Sequence, residues 1–170
     1  MLLIKPVVWN DARGFFLESW NESSFERAGL NIHFRQDNHS RSLRNVVRGV
    51  HYQLQRPQGK LIRCSRGAIY DVAVDLRRSA PTFGRWTGVE LSEFNHHMLW
   101  IPPGFGHGFV VLSDEADVHY KASELYDAKS DRVVRWSDPT LAIEWPLSGA
   151  PALSSKDASA PTLDNAELFK

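Results

Sequence analysis

Between Leu61 and Ala122 the chain presents one strand-like segment after another, with almost nothing that reads as helix. Gly67-Ala68-Ile69-Tyr70-Asp71-Val72-Ala73-Val74-Asp75-Leu76 alternates, which puts Tyr70, Val72, Val74 and Leu76 on one face and Asp71 and Asp75 on the other. Ser79–Gly84 reads as a turn and Arg85–Leu91 as the next strand. Met98–Ile101 runs into Pro102-Pro103-Gly104, Phe105–Leu112 follows, and Val118–Ala122 is a further short strand. Short strands at this spacing, punctuated by glycine and proline, predict an all-β sandwich or barrel.

The flanks are less regular. Residues 1–20 read as strand, turn, strand, with Asn10–Gly14 as the turn and Phe15–Trp20 as an aromatic strand. Asn21–Gly29 is the best short helix: Asn21 or Ser23 caps it, Phe25 and Ala28 face inward, and Gly29 ends it. Phe34–Ser40 enters a polar loop rich in arginine, with Arg35, Arg41, Arg44 and Arg48 close together. After Pro146 the composition turns to serine, alanine and proline, interrupted by Lys156-Asp157 and Pro161–Asp164. The expected organisation is a single domain over 1–170, with 151–170 as a C-terminal arm.

Composition removes several classes of function. A formal net charge of zero gives no global field for nucleic acid or an anionic membrane, so any anion must be bound locally. The single cysteine, Cys64, excludes an intrachain disulfide and fits a reducing compartment. Met1–Trp9, with Lys5 and Pro6 inside a short apolar run, is neither a signal peptide nor a membrane span, and the expected location is cytoplasmic.

Val46-Val47-Arg48-Gly49-Val50-His51-Tyr52-Gln53 has the chemistry that a plain surface strand does not need. An arginine can clamp an anion through its planar fork, and a neutral imidazole can take a proton near pH 7. Taken alone, His51 serves equally well as a core histidine. Pro102-Pro103-Gly104-Phe105-Gly106-His107 has the P-x-G-x-x-H pattern of the second motif of cupin jelly rolls. Metal-binding cupins add H-x-H and a nearby glutamate; here the place holds His51-Tyr52-Gln53, with no acid before Lys60. Two histidines without a third ligand fall short of a catalytic metal set, so no metal is expected.

With Arg48–Gln53, Pro57-Gln58-Gly59-Lys60 and Trp100–Phe109 assembled, the sequence resembles the dTDP-4-dehydrorhamnose 3,5-epimerase family of cofactor-independent cupin enzymes. The likeness runs from Asp11-Ala12-Arg13-Gly14-Phe15-Phe16 to the Lys156-Asp157 tail. It implies a cupin-type jelly roll, a homodimer, no cofactor, and as substrate a 4-keto-6-deoxy sugar carried on thymidine diphosphate. By the same resemblance His51 is the general base, Asp157 its partner, Tyr120 the opposing acid, and Lys60 lies close to the sugar. Arg13, Glu18, Gln36, Asp37, Asn38, Arg48, His107 and Lys156 match positions that contact the nucleotide sugar.

The chemistry explains the residue types. Hydrogens at C3 and C5 both flank the C4 ketone, so inversion needs a base on one face and an acid on the other. A cation near O4 stabilises the enolate. Outside the resemblance, Tyr120 reads as core packing, Arg13 and Glu18 as a surface ion pair, His107 as structural, and Asp157 as an acid in a tail. Three places depart from the family: Leu125-Tyr126 stands where two tyrosines are common, Asp131 where some members have a glutamate, and His119, which on a strand points away from Tyr120, where an apolar residue is common. Inversion at one carbon only, a 3,4-ketoisomerase shift and a non-catalytic sugar-nucleotide-binding cupin are the rival readings.

Overall fold

The computed structural model describes residues 1–170. Its elements in order are β1 (Leu2–Ile4), β2 (Val8–Asp11), β3 (Gly14–Leu17), α1 (Glu22–Arg27), β4 (Gln36–Leu43), β5 (Val47–Gln53) and β6 (Lys60–Arg66). They continue with β7 (Ala68–Asp75), β8 (Trp86–Ser92), β9 (Met98–Ile101), β10 (Phe105–Val111), β11 (Glu115–Ala122), β12 (Asp131–Val133) and α2 (Ser155–Ala158). Two five-stranded antiparallel sheets, β1-β9-β6-β11-β4 and β12-β5-β10-β7-β8, make the cupin-type jelly roll, and β2–β3 is a separate hairpin. No helix is long and apolar enough to cross a membrane.

Period-two alternation sorts the side chains into three layers. Between the sheets lie Ile62, Cys64, Ile69, Ala73, Leu91, Leu99, Ile101, Phe109, Val111, Ala116 and Val118. The opposite face of β7, with Val72, Val74 and Leu76, packs with Val50 and Tyr52 under Val134, Leu141, Ile143, Leu163, Ala166 and Leu168 of the C-terminal segment. On the outside of the other sheet, Leu61, Met98 and Trp100 are covered by Ile4, Trp20, Phe25, Leu30, Ile32 and Phe34. The terminal segments are thus the outer layers of the sandwich. Residues after 146 are anchored by a parallel bridge from Ala152 to Val46 and another from Phe169 to Arg77.

The structure corrects three sequence expectations. The polar loop expected over Phe34–Ser40 is mostly strand: β4 pairs with β11 from Gln36↔Ala122 to Leu43↔Glu115. It is an edge strand, and neither face is strongly apolar. Asp37 and Arg41 meet Lys121 and Asp117 across the outer face, while Gln36, Asn38 and Ser40 turn inward. Leu2–Ile4 forms a strand of its own against β9. α1 is capped by Asn21, whose side chain accepts the Ser24 N–H, and Phe25 packs inward, but Ala28 is exposed.

Candidate active site

β5 passes unusually close to β10. Gly49 has φ +118°, and a Cβ there would stand 2.5 Å from the Gly108 Cα, so any other residue would push the strands apart. The register places His51 opposite His107, and His107 opposite Ala73 of β7. His51 therefore projects into the sandwich from one sheet. From the other sheet, Lys60 and Tyr120 share the inward parity of Ile62. The two sets meet at a pocket of about 460 Å³, whose walls include Arg48, His51, Lys60, Tyr120, Tyr126, Asp131, Lys156 and Asp157.

His51 is 32 % exposed and its Nε2 lies 2.6 Å from Oδ1 of Asp157, a residue only 2 % exposed. Burial pushes the Asp157 carboxyl up, but hydrogen bonds from His51 and Ser154, the charge of His51 and the Gly49 N–H together hold it below the usual range. An ionised carboxylate only accepts, so Nε2 is the nitrogen that keeps a proton toward Asp157 and Nδ1 is the one left to exchange a proton. Burial lowers the Lys60 ammonium to about 8, against the opposing pull of Asp131 and Asp71. Burial also raises the Tyr120 phenol, with Arg48 working the other way, so its O–H stays protonated at neutral pH. Base, cation and phenol thus face one cavity from two sheets.

The mouth of the pocket carries a second network. Asp131 Oδ2 accepts from Lys156 Nζ at 2.5 Å and from Tyr126 Oη at 3.0 Å. Gln36 Oε1 accepts the Tyr126 N–H at 2.8 Å, and its amide donates to Asn38 Oδ1. Arg48 Nε donates to Ser42 Oγ at 3.0 Å. Gln53, where a metal-binding cupin would keep its second histidine, is committed to the loops: it donates to the Arg56 and Leu125 carbonyls and accepts the Asp127 N–H. No group of three or more His, Cys, Asp or Glu side chains gathers as a metal's ligands would.

Of the residues expected in the site, His51, Tyr120, Asp157, Lys60, Arg48 and Lys156 line this pocket. Gln36 and Asn38 stand just behind Tyr126. Asp37 points to the outer face of its edge strand and pairs with Lys121 at 2.6 Å, so it is turned away. His107 is 7 % exposed and bonded to the buried Asp71 at 2.7 Å, beside His51 but not on the wall. Arg13 and Glu18 lie outside altogether: Arg13 is 90 % exposed in the β2–β3 turn, paired with Asp11, and Glu18 accepts from Asn21. Of the clustered arginines, Arg35, Arg41 and Arg44 are taken up by Glu124, Asp117 and Asp114. Sequence reasoning missed Ser154, although Ser154-Ser155-Lys156-Asp157 has the S-x-x-[DE] spacing of a helix cap. It also left Asp131 without a role.

Known proteins place this architecture. The family model described as dTDP-4-dehydrorhamnose 3,5-epimerase matches residues 1–165. The dTDP-4-dehydrorhamnose 3,5-epimerase of Salmonella typhimurium is 51% identical over 170 residues, which span 99% of this chain and 93% of that protein. The crystal structure of the dTDP-6-deoxy-D-glucose-3,5-epimerase of Legionella pneumophila, in complex with dTDP-4-keto-L-rhamnose, superposes with TM-score 0.96 at 46% identity, covering 99% of this chain and 92% of that one. A 3′-monoepimerase from Streptomyces bikiniensis, in complex with dTDP-quinovose, is more distant, at TM-score 0.90 and 36% identity over 95% of this chain and 83% of that one. With the family model matched over almost the whole chain and half of its residues shared with a curated relative, the chain belongs to the dTDP-4-dehydrorhamnose 3,5-epimerase family.

Proposed function

We propose that this protein is an isomerase that inverts C3 and C5 of dTDP-4-dehydro-6-deoxy-D-glucose, giving dTDP-4-dehydro-L-rhamnose. The observation that carries the reading is a carboxylate-held histidine on one wall of a pocket, with a protonated phenol and a half-buried lysine on the other. His51 Nδ1 takes the proton from C3 or C5, and Asp157 stabilises the imidazolium. Lys60 holds the charge that develops on O4 as the enolate forms. Tyr120 gives a proton to the opposite face of the same carbon, which inverts it. Arg48 and Lys156 stand at the wall as donors for the diphosphate, whose planar and point-charge contacts suit them.

The test is incubation with this substrate in D₂O. Deuterium at both C3 and C5 of the product is expected; label at C3 alone would select a monoepimerase, and no exchange at either carbon would sink the proposal.

Lys60 supplies a pH prediction. Its ammonium is charged below about 8 and neutral above. The alkaline limb of kcat/KM, which reports the free enzyme, should therefore fall through about that pH. Lys60→Arg keeps the charge at every accessible pH and should move the limb upward. A limb unchanged in the variant would assign it to another group.

The proposal extends to a single cytoplasmic domain that works as a homodimer. The β2–β3 hairpin leaves Trp9, Phe15 and Phe16 more than half exposed, an apolar patch of the kind that marks an interface. Arg13 and Glu18, outside this chain's own pocket, ride on that hairpin and its exit. Light scattering at micromolar concentration should give twice 19.3 kDa; a monomeric mass would overturn the dimer.

A further inference from the structure

We propose that Ser154 is a positioning residue for the His51–Asp157 pair, its hydroxyl fixing the carboxylate so that Oδ1 alone is presented to the imidazole. The inference rests on the reading of His51 as the base.

The two oxygens of Asp157 have different partners. Oδ1 faces His51 Nε2 at 2.6 Å and accepts the Gly49 N–H at 3.3 Å. Oδ2 accepts the Ser154 hydroxyl at 2.6 Å, and no other group of the protein donates to it. The nearest cation in sequence, Lys156, is turned to Asp131. In return the Asp157 N–H donates to Ser154 Oγ at 3.1 Å, so Ser154 caps α2 and holds the carboxylate at once. Capping alone asks only for an acceptor, and Asp or Asn would serve as well as Ser. Donating to a carboxylate as well excludes Asp, because an ionised carboxylate cannot donate, and the Ser154 hydroxyl does both from one atom.

Ser154 is itself held in place by β5. Val47 N–H donates to the Ala152 carbonyl and Ala152 N–H to the Asn45 carbonyl, both at 3.0 Å, two residues before the cap. The strand that carries His51 therefore also sets the distance to the hydroxyl that orients its partner. Without that hydroxyl, Oδ2 of a nearly buried carboxylate has no protein donor, and only the two contacts on Oδ1, from His51 and the Gly49 N–H, still orient the group. A carboxylate relieved of one hydrogen bond is also the stronger base, and it would stabilise the His51 imidazolium more.

The test combines kinetics with an NMR titration of the His51 ring nitrogens in Ser154→Ala, Ser154→Asp and Ser154→Thr. Ser154→Ala should lower kcat by about tenfold through misorientation, leave KM within about twofold, and raise the titration midpoint of His51 by about half a pH unit. Ser154→Asp keeps an acceptor for the cap but cannot donate, and should lose turnover as well. Ser154→Thr keeps the hydroxyl and should restore both turnover and the wild-type midpoint. The other charged or titratable groups around the pair, Arg48, Tyr52, Lys60, Tyr120, Tyr126, Asp131 and Lys156 on the wall with His107 and Asp71 beside His51, are unchanged across the three variants. A lower Tm with an unmoved His51 midpoint and unchanged kcat would reduce Ser154 to a helix cap and overturn the proposal. Full turnover in a His51→Asn control would instead overturn the reading of His51 as base, whatever Ser154 does to the titration.

Discussion

Replacing His51 with alanine is expected to lower epimerisation by about 10²–10⁴-fold, with dTDP binding still measurable. His51 is the one histidine on the pocket wall, and Arg48 and Lys156, the donors proposed for the diphosphate, make no hydrogen bond to it. Alanine also leaves Asp157, nearly buried, without its closest partner, and an unpaired buried charge destabilises a fold. His51→Gln is the cleaner variant: its amide can reach the place of Nε2 and donate to Asp157 but has no basic nitrogen. Both should be read by deuterium incorporation at C3 and C5 and by calorimetric titration with dTDP. Near-wild-type turnover in either would take the base away from His51.

Tyr120→Phe should cost inversion about as much, about 10²–10⁴-fold, and in a distinguishable way. The substitution removes one oxygen and leaves the ring packed against the interior cluster, so the fold should hold. His51 would still remove a proton and return one from its own side, so solvent deuterium should enter the substrate with retention of configuration. Exchange without inversion is the signature of an acid lost from the opposite face. Formation of the inverted sugar at the wild-type rate would show that the proton comes from elsewhere.

How much could be read from the residues differed by region, for physical reasons. β7 and β10 were legible as short apolar runs bounded by turn residues: β7 is buried on both faces, with Val72 and Val74 in one core and Ile69 and Ala73 in the other, which Phe109 and Val111 of β10 share. β4 was not, since an edge strand facing solvent on one side and a polar cavity on the other has no apolar stripe to show. α2 is a single turn, below the length at which periodicity means anything, and only its capping serine announces it. Within the site, Arg48 and His51 drew attention from one strand, where chemistry-bearing side chains interrupt an apolar pattern. Lys60 and Tyr120 came to the same cavity because antiparallel register places them on the inward face. Asp157 could be assigned through resemblance alone, because nothing local to the tail shows that it packs on β5. The outward turn of Asp37 follows from parity once β4 is known to be a strand.

The pairing of His51 with Asp157 joins positions 106 residues apart. Ala152 and Asp157 both bond to β5 from the C-terminal arm, after both sheets have been traced. A nascent chain can therefore complete every strand of the sandwich before the carboxylate that pairs with His51 has been made. A protease that clips the arm before Asp157 would take away that carboxylate together with Leu163, Ala166 and Leu168, and so would uncover the outer face of β7 as well.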